Sequence, residues 1–299
     1  MHGRPGARTA VLKVRAATPP GDLADQVRRA LAEDVGSGDL TAELIPAATR
    51  AVGQVMTREP AVVCGEAWFN EVFRQLDASV RVEWFAEEGA NVRTNDVLCR
   101  VSGPARPILT GERTALNFLQ TLSATATAAR RYVDAVAGTG CRILDTRKTL
   151  PGLRTAQKYA VACAGASNHR QGLFDAVLIK ENHIIAAGSI AAAVNAARRH
   201  ASQAKVEVEV ESLAELEAAL TAGADMALLD EFSLADLARA VELNRARGRP
   251  MTLEASGGIT LDGVRDIALT GVDFISVGGI TKHVRAVDLS MRFLLDTPK

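Results

Sequence analysis

The chain has 299 residues, and its 35 Lys and Arg balance 35 Asp and Glu, so the formal net charge is zero. A neutral chain has no global field to attract nucleic acid or an anionic membrane, and an aromatic content of 4% argues against base stacking. The four cysteines form no Cys-x-x-Cys pair, which argues against zinc and disulfide frameworks. No apolar run is long enough for a signal peptide or a membrane span, and we expect a soluble cytoplasmic protein.

The first half of the chain reads as mixed α and β structure without a repeat. The segment from Leu23, "LADQVRRALAEDVG", has helical spacing, whereas "AVGQVMTRE", "VRVEWFAEEG" and "DVLCRVSG" are typical of half-buried strands. A long helical stretch begins at Pro107 and is closed by Gly138 and Gly140. This helix could link two domains.

Short apolar runs alternate with helical segments after Gly140. The runs are "RILDTR", "DAVLIK", "KVEVEV", "MALLD", "MTLEAS" and "DFISVGG". Strands separated by crossover helices predict a parallel sheet, either doubly wound or closed as a TIM-like barrel. Polar residues follow the carboxyl ends of these strands: Arg147, Lys148, Lys180, Glu209, Asp230, Ser256 and Gly278. Because barrels place their active sites on that rim, we favour a barrel, which six strands would leave open.

A group of cations is predicted to meet at this rim: Arg147, Lys148, Arg170 and Lys180. Like charges repel unless an anion joins them, and an anion that joins this group should carry more than one negative charge. Arginine offers bidentate capture of a carboxylate or phosphate, and lysine offers a point charge. The alternative is a solvated basic loop.

The acidic residues lie on two neighbouring predicted strands. Alternation in "KVEVEVES" places Glu207, Glu209 and Glu211 on one face, and Asp230 ends the next strand. Glu209 and Asp230 could hold sugar hydroxyls or a hard cation such as magnesium. The alternative is a solvated polar face.

Two glycine turns, "EASGGIT" and "SVGGIT", end the last two strands. Gly257, Gly258, Gly278 and Gly279 would let the backbone approach a phosphate, and Ser256 adds a hydroxyl. Each turn could instead serve only to connect a strand to a helix. The histidines in "SNHRQGLFDAVLIKENH" have no convincing metal spacing, and we assign no zinc site. Together these features describe an enzyme that acts on a phosphorylated sugar and an organic acid.

Several long motifs resemble the quinolinate phosphoribosyltransferase family: "GERTALNFLQTLSATAT", "LDTRKTLPGLR", "KYAVACAGASNHR", "DAVLIKENHI", "VEVEVESLAEL", "LEASGGIT" and "GVDFISVGGITKHVRAVDLSMRF". The likeness begins near Asp22 and spans nearly the whole chain. It implies that quinolinate reacts with phosphoribosyl pyrophosphate (PRPP) and magnesium to give nicotinate mononucleotide, pyrophosphate and CO2, a reaction of NAD biosynthesis.

The resemblance implies a role for each matching residue. Arg147, His169, Arg170 and Lys180 would bind the quinolinate carboxylates. Arg113 would reach the site from the neighbouring subunit of a homodimer. Lys148 would lie between the two substrates, and Glu209 and Asp230 would hold the ribose hydroxyls and the associated magnesium. The phosphate pocket would comprise Ser256, Gly257, Gly258, Gly278, Gly279 and Ile280.

The resemblance also implies an α/β fold with two domains. An N-terminal α/β sandwich would cover residues 22–128, after a flexible segment at 1–21. An open, incomplete TIM-like α/β barrel would cover 129–286, and a final helix at 287–299 would return to the first domain.

The chain departs from the usual family pattern at a few positions. Ala164 and Ala166 stand where glycines are common before Asn-His-Arg, and Glu231 stands where Asn is usual. Gly279 and Ile280 replace a common Ala-Leu. Added methyl groups could crowd the turn before His169 if that turn needs a positive φ.

Three other functions are compatible with parts of the sequence. Lys180, at a strand end, could form a Schiff base in an aldolase, although this leaves the arginines without a role. The chain could also be an inactive paralogue that binds phosphorylated metabolites. A related transferase for another aromatic acid is the third alternative.

Overall fold

The computed structural model describes residues 18–248 and 251–294. The expected flexible segment at 1–21 lies almost wholly outside these ranges. In the described parts of the chain, no helix is long and apolar enough to cross a membrane.

The N-terminal domain is built on a four-stranded sheet and three helices. Its helices are α1 (Leu23–Val35), α2 (Glu66–Leu76) and α3 (Ala105–Ala135), and a 3₁₀ turn covers Ala42–Leu44. Its first strands are β1 (Arg50–Thr57), β2 (Ala61–Val62), β3 (Arg81–Trp84), β4 (Asn91–Val92) and β5 (Val97–Pro104). Strands β1, β3 and β5 pair antiparallel, and β2 and β4 form a separate ladder. The apolar side chains of α2, including Trp68, Phe69 and Phe73, are buried in the core.

Parallel β/α units form the second domain. The strands are β6 (Arg142–Leu144), β7 (Val177–Ile179), β8 (Val206–Val210), β9 (Met226–Asp230), β10 (Thr252–Ser256) and β11 (Phe274–Ser276). The helices are α4 (Arg154–Cys163), α5 (Glu181–Ala187), α6 (Ile190–His200), α7 (Leu213–Ala222), α8 (Leu234–Ala246), α9 (Val264–Leu269) and α10 (Gly279–Lys282). The strand order is β6-β11-β10-β9-β8-β7. The predicted fold class, an α/β sandwich followed by an open barrel, is confirmed.

The opening of the barrel lies between its edge strands, β6 and β7. One residue of the intervening chain, Ser167, forms a single parallel bridge with Leu144 of β6. The next residues, Asn168–Arg170, therefore run along the opening and carry two of the predicted site residues into it.

The end of the chain returns to the first domain as a strand, so the predicted helix at 287–299 is wrong for its described part. Strand β12 (Leu289–Phe293) pairs antiparallel with β1, in a register that aligns Met291 with Val55. Leu289 and Met291 are buried, whereas Ser290 between them is half-buried and Arg292 after them is exposed, a period of two that suits a strand. Residues 295–299 lie outside the described ranges.

Candidate active site

The loop after β6 carries Arg147 and Lys148 and is held in place by hydrogen bonds. Thr281 Oγ1 donates a hydrogen bond of 2.8 Å to the Lys148 carbonyl, and the Lys148 amide donates to Thr146 Oγ1 at 3.0 Å. Gln157, which is fully buried, accepts from the Leu150 amide and donates to the Thr281 carbonyl. The loop is thereby tied to the segment after β11.

Arg147 and Arg170 lie near enough for their positive charges to interact. Burial and the positive charge of Arg147 both lower the pKa of Arg170. Arg147 Nε is buried without a hydrogen-bond partner among the described residues. Two neighbouring guanidinium groups, one with an unused donor, form a site that an anion would stabilise.

Lys180 and Glu209 form an ion pair between adjacent strand ends. Lys180 directly follows β7, and its amide donates to His183 Nδ1 at 3.0 Å, which fixes the start of α5. The Lys180 side chain is 47% exposed and that of Glu209 is 15% exposed. The resemblance implies different substrates for these two residues, and the structure brings them into contact.

Asp230 and the first glycine turn lie side by side. Asp230 aligns with Ser256 in the register of β9 and β10, and the Glu231 amide donates to the Ser256 carbonyl at 3.0 Å. A Cβ built on Gly257 would stand 3.1 Å from Asp230 Oδ1 and 2.8 Å from the Glu231 nitrogen. Only glycine fits there, and its φ of +89° is also one that glycine favours.

The second glycine turn touches the lysine loop. Gly278 faces Lys148, and Gly279 begins α10 with no close neighbour. Ile280 is 1% exposed and packs in the core, so only its backbone can face a ligand. Arg113 is exposed on α3, and no hydrogen bond or ion pair of its side chain is seen within the described ranges.

Both the backbone and the ring of His169 form hydrogen bonds in the barrel opening. Its amide donates to Asp145 Oδ1 at 2.9 Å, and Lys158 Nζ donates to its carbonyl at 2.9 Å. Asp145 and Lys158 form a buried ion pair with each other. In the ring, Nε2 lies 2.9 Å from Glu207 Oε2, and Nδ1 accepts from the Arg170 amide at 2.7 Å.

Sequence reasoning missed the residues that support His169: Asp145, Lys158 and Glu254. Lys158 lies in helix α4, and the sequence pattern of that helix does not show that this lysine is buried. "LEAS" places Glu254 between apolar neighbours in a buried strand, where an unpaired charge is rarely found, and this signal could have identified it.

Two family models match consecutive parts of this chain. The N-terminal domain of quinolinate phosphoribosyl transferase matches residues 39–123, and its C-terminal domain matches residues 125–292. The chain belongs to the quinolinate phosphoribosyltransferase family. The predicted family is thus confirmed.

Similar proteins share both sequence and structure. A nicotinate-nucleotide pyrophosphorylase [carboxylating] of Mycobacterium leprae is 42% identical, over 89% of this chain and 95% of the relative. The human protein with the same name is 39% identical and covers 92% of each chain. A solved nicotinate-nucleotide pyrophosphorylase from Francisella tularensis superposes with a TM-score of 0.89 at 47% identity, over 94% of this chain and 99% of that one.

The alanines that depart from the quinolinate phosphoribosyltransferase pattern fit their turn. Ala164 has an ordinary helical φ of −76°, and the φ of Ala166 is not positive. Gly165, with φ of +89°, provides the left-handed step by itself. Glu231, by contrast, has a strained backbone. Its φ is +55°, a value that residues other than glycine rarely adopt.

Proposed function

We propose that this protein transfers the phosphoribosyl group of PRPP to quinolinate with loss of CO2, giving nicotinate mononucleotide and pyrophosphate. The observation that carries the proposal is the pair of neighbouring guanidinium groups, Arg147 and Arg170, with Arg147 Nε buried and unused. A dicarboxylate is an anion that would satisfy both groups. The comparisons support the same reaction, since the curated relatives bear its name. Formation of nicotinate mononucleotide from quinolinate and PRPP tests it.

The acid would bind on the barrel-opening side of the rim. We assign its carboxylates to Arg147, Arg170 and Lys180, with His169 beneath them. The ion pair between Lys180 and Glu209 links this side to the sugar side, so the entering acid would compete with Glu209 for Lys180.

The phosphoribosyl group would bind on the other side of the rim. Glu209 and Asp230 would accept hydrogen bonds from the ribose hydroxyls. The turns at Gly257–Gly258 and Gly278–Gly279, with Ser256, would accommodate the 5′-phosphate, because the backbone is bare of Cβ atoms there. Carboxylate oxygens are the donors that magnesium prefers, so Asp230 and Glu209 fit an ion carried by PRPP nearby. When bound, magnesium offsets the charge of the leaving phosphates.

The reaction follows from these charges. The bond between the anomeric carbon and pyrophosphate breaks, and Glu209 and Asp230 stabilise the positive charge left on the ribose. Lys148 balances the departing phosphates, and the quinolinate nitrogen forms the new bond to the anomeric carbon. The adjacent carboxylate then leaves as CO2, its electron pair enters the positively charged ring, and that ring carbon takes up a proton. No protein nucleophile is needed.

We further propose a homodimer in which Arg113 completes the neighbouring site. Arg113 is exposed, and its side chain makes no hydrogen bond or ion pair with the described residues. It lies one turn from Thr110, which donates to Asp39 Oδ2, next to the exposed side chains of Leu40 and Leu44. Beside Arg170, Leu173 and Phe174 are 74% and 84% exposed. Apolar side chains of this size on both domains are typical of a surface that a second copy covers.

The ion pair at Lys180 speaks against the aldolase alternative. The Lys180 amine is already engaged by the Glu209 carboxylate, and an aldolase would leave Arg147 and Arg170 without a role. The inactive-paralogue alternative gains no support, because the cationic and acidic residues that the resemblance implies are all present.

A further inference from the structure

A pair of glutamates lies inside the barrel, one layer below the proposed site. Glu207 precedes Glu209 by two residues on β8, and Glu254 precedes Ser256 by two residues on β10. The imidazole of His169 is within reach of both, with Nε2 at 2.9 Å from Glu207 Oε2 and 3.5 Å from Glu254 Oε2. Since β9 separates the two strands, one ring can contact both carboxyl groups only from the concave face.

Three of the four carboxyl oxygens of this pair lack a hydrogen bond. Glu207 is 4% exposed and Glu254 is 0% exposed. Glu207 Oε1 and both oxygens of Glu254 are buried without a hydrogen bond. The carboxyl groups lie within 4.8 Å of each other, and a single shared proton would join two of these oxygens, because protonated Glu254 becomes a donor to Glu207. Burial, together with the charge of Glu207, raises the pKa of Glu254 to about 8, which agrees with that proton.

The hydrogen bonds of His169 determine which form of its ring fits. Nδ1 faces the Arg170 N–H at 2.7 Å and must accept, so the ring proton lies on Nε2 and is donated to Glu207. Burial lowers the pKa of His169 and the two carboxyl groups raise it, with a net rise. A second proton on Nδ1 would nevertheless meet the Arg170 N–H, and we assign the neutral ring.

The same geometry argues against a metal ion between these three residues. A metal at Nε2 needs a lone pair there, whereas a neutral imidazole has one free lone pair and Nδ1 already uses it for the Arg170 amide. The neutral His169 ring therefore has no lone pair left for a metal ion.

We propose that Glu207 and Glu254 are positioning residues for the acid substrate, which act by holding His169 and, through its Nδ1, the Arg170 segment in the barrel opening. This inference rests on the proposed function. Arg170 has a backbone amide bonded to the ring and a guanidinium beside Arg147, so rotation of the ring would move one of the two guanidinium groups that receive the acid. Among the described residues, no side-chain hydrogen bond or ion pair joins Asp230 or Gly257 to His169, Glu207 or Glu254.

The kinetic test compares leucine and glutamine at each position in the full-length chain. Glu207→Leu removes the acceptor of His169 Nε2 and should raise the KM for quinolinate roughly tenfold or more, the cost of a buried donor without a partner. The KM for PRPP should change by about twofold at most, as an interaction on one substrate's side alters that substrate's binding. Glu207→Gln keeps an acceptor oxygen, and Glu254→Gln keeps a donor, so both should stay within about threefold of the parent. Equal increases in both KM values, or no change in Glu207→Leu, would overturn the proposal.

The matched control is Glu211→Leu. Glu211 is exposed and directly follows the same strand, so this variant makes the same chemical change without touching the cluster. We expect both of its KM values to match those of the parent. If they shift as in the leucine variants, the effect is not specific to the buried pair.

A spectroscopic test does not depend on turnover or on folding of the leucine variants. The protein has five histidines, and the imidazole ¹⁵N signals of His169 can be assigned by their loss in His169→Gln. The proposal predicts a protonated Nε2 and an acceptor Nδ1 near neutral pH, with the Nε2 signal shifted in Glu207→Gln. The opposite tautomer, a doubly protonated ring, or loss of the Nε2 proton on addition of Zn²⁺ alone would contradict it. If the parent makes no nicotinate mononucleotide but shows this signature, the proposed function fails and the support of His169 stands.

Discussion

The side chain of Lys148 lies directly against Gly278, so that a Cβ built on Gly278 would stand 3.0 Å from Lys148 Cδ. The loop after β6 and the turn after β11 thus meet through a lysine and a residue that has no side chain. Two residues that the resemblance assigns to the same phosphate region are in contact, and a methyl group on Gly278 would require the lysine side chain to shift by a few tenths of an ångström.

Gly278→Ala should therefore lower activity with little loss of stability. The methyl group displaces a flexible lysine and not the backbone, so the fold should persist while kcat falls on the order of tenfold to a hundredfold, as for a misplaced catalytic group. Gly263→Ala is the control, because Gly263 lies outside the proposed site, has an ordinary φ of −91° and would place its Cβ 3.5 Å from the nearest atom, so its stability should stay within about 0.5 kcal/mol of the parent. Steady-state kinetics and denaturant unfolding of both variants measure this, and equal kcat values in the two would contradict it.

Glu231→Asn should stabilise the protein. Glu231 has a φ of +55°, a conformation that costs a residue such as Glu about 1 kcal/mol and that Asn adopts more readily. The midpoint of urea unfolding should rise. An unchanged or lower midpoint would show that contacts of the Glu231 side chain with the Gly257 turn outweigh the strain.

Glu254 should make stability depend on pH. Its pKa is about 8 in the folded chain against an ordinary value of 4.5, so its contribution is fully present below about 4.5 and is lost as the pH rises through about 8. Relative to Glu254→Gln, the parent should lose up to about 1.4 kcal/mol per pH unit across that window. Urea unfolding of both proteins at several pH values gives the difference. Parallel pH profiles would mean that Glu254 is not the group that takes up the proton.

Arg113 and Lys148 should complement each other across a dimer. Arg113→Ala and Lys148→Ala should each abolish turnover while the fold is kept. Co-expression of the two chains gives mixed dimers with one intact site, and random pairing predicts about a quarter of the parent activity. Each variant mixed with itself is the control. No recovery in a verified mixed dimer would show that Arg113 serves its own chain or no site.

Much of the second domain could be predicted because its strands are short apolar runs whose polar ends share one rim. Strands β8, β9 and β10 follow "KVEVEV", "MALLD" and "MTLEAS" closely. The end of the chain was predicted as a helix, although Leu289 and Met291 alternate with polar residues. The strand itself has five residues, too few for their period to decide without knowledge of the strand beside it, and β1, its partner, is more than two hundred residues away in the chain.

The candidate site divides in the same way. Lys180 and Glu209 could be placed at strand ends, but their contact depends on the sheet order β7-β8, which the sequence does not state. Asp145 and Lys158 were missed because their importance comes from burial. Lys158 is 1% exposed, but only the fold shows this burial. In the sequence, a lysine in a helix is expected on the surface.

The most direct measurement is product formation by the purified chain from quinolinate, PRPP and magnesium, with nicotinate as the comparison acid. The account predicts equal amounts of nicotinate mononucleotide and pyrophosphate from quinolinate. It predicts little product from nicotinate, because nicotinate has one carboxylate and the proposed site has two guanidinium groups to bind. Tight binding of both substrates without release of pyrophosphate would contradict it and would favour a metabolite-binding protein.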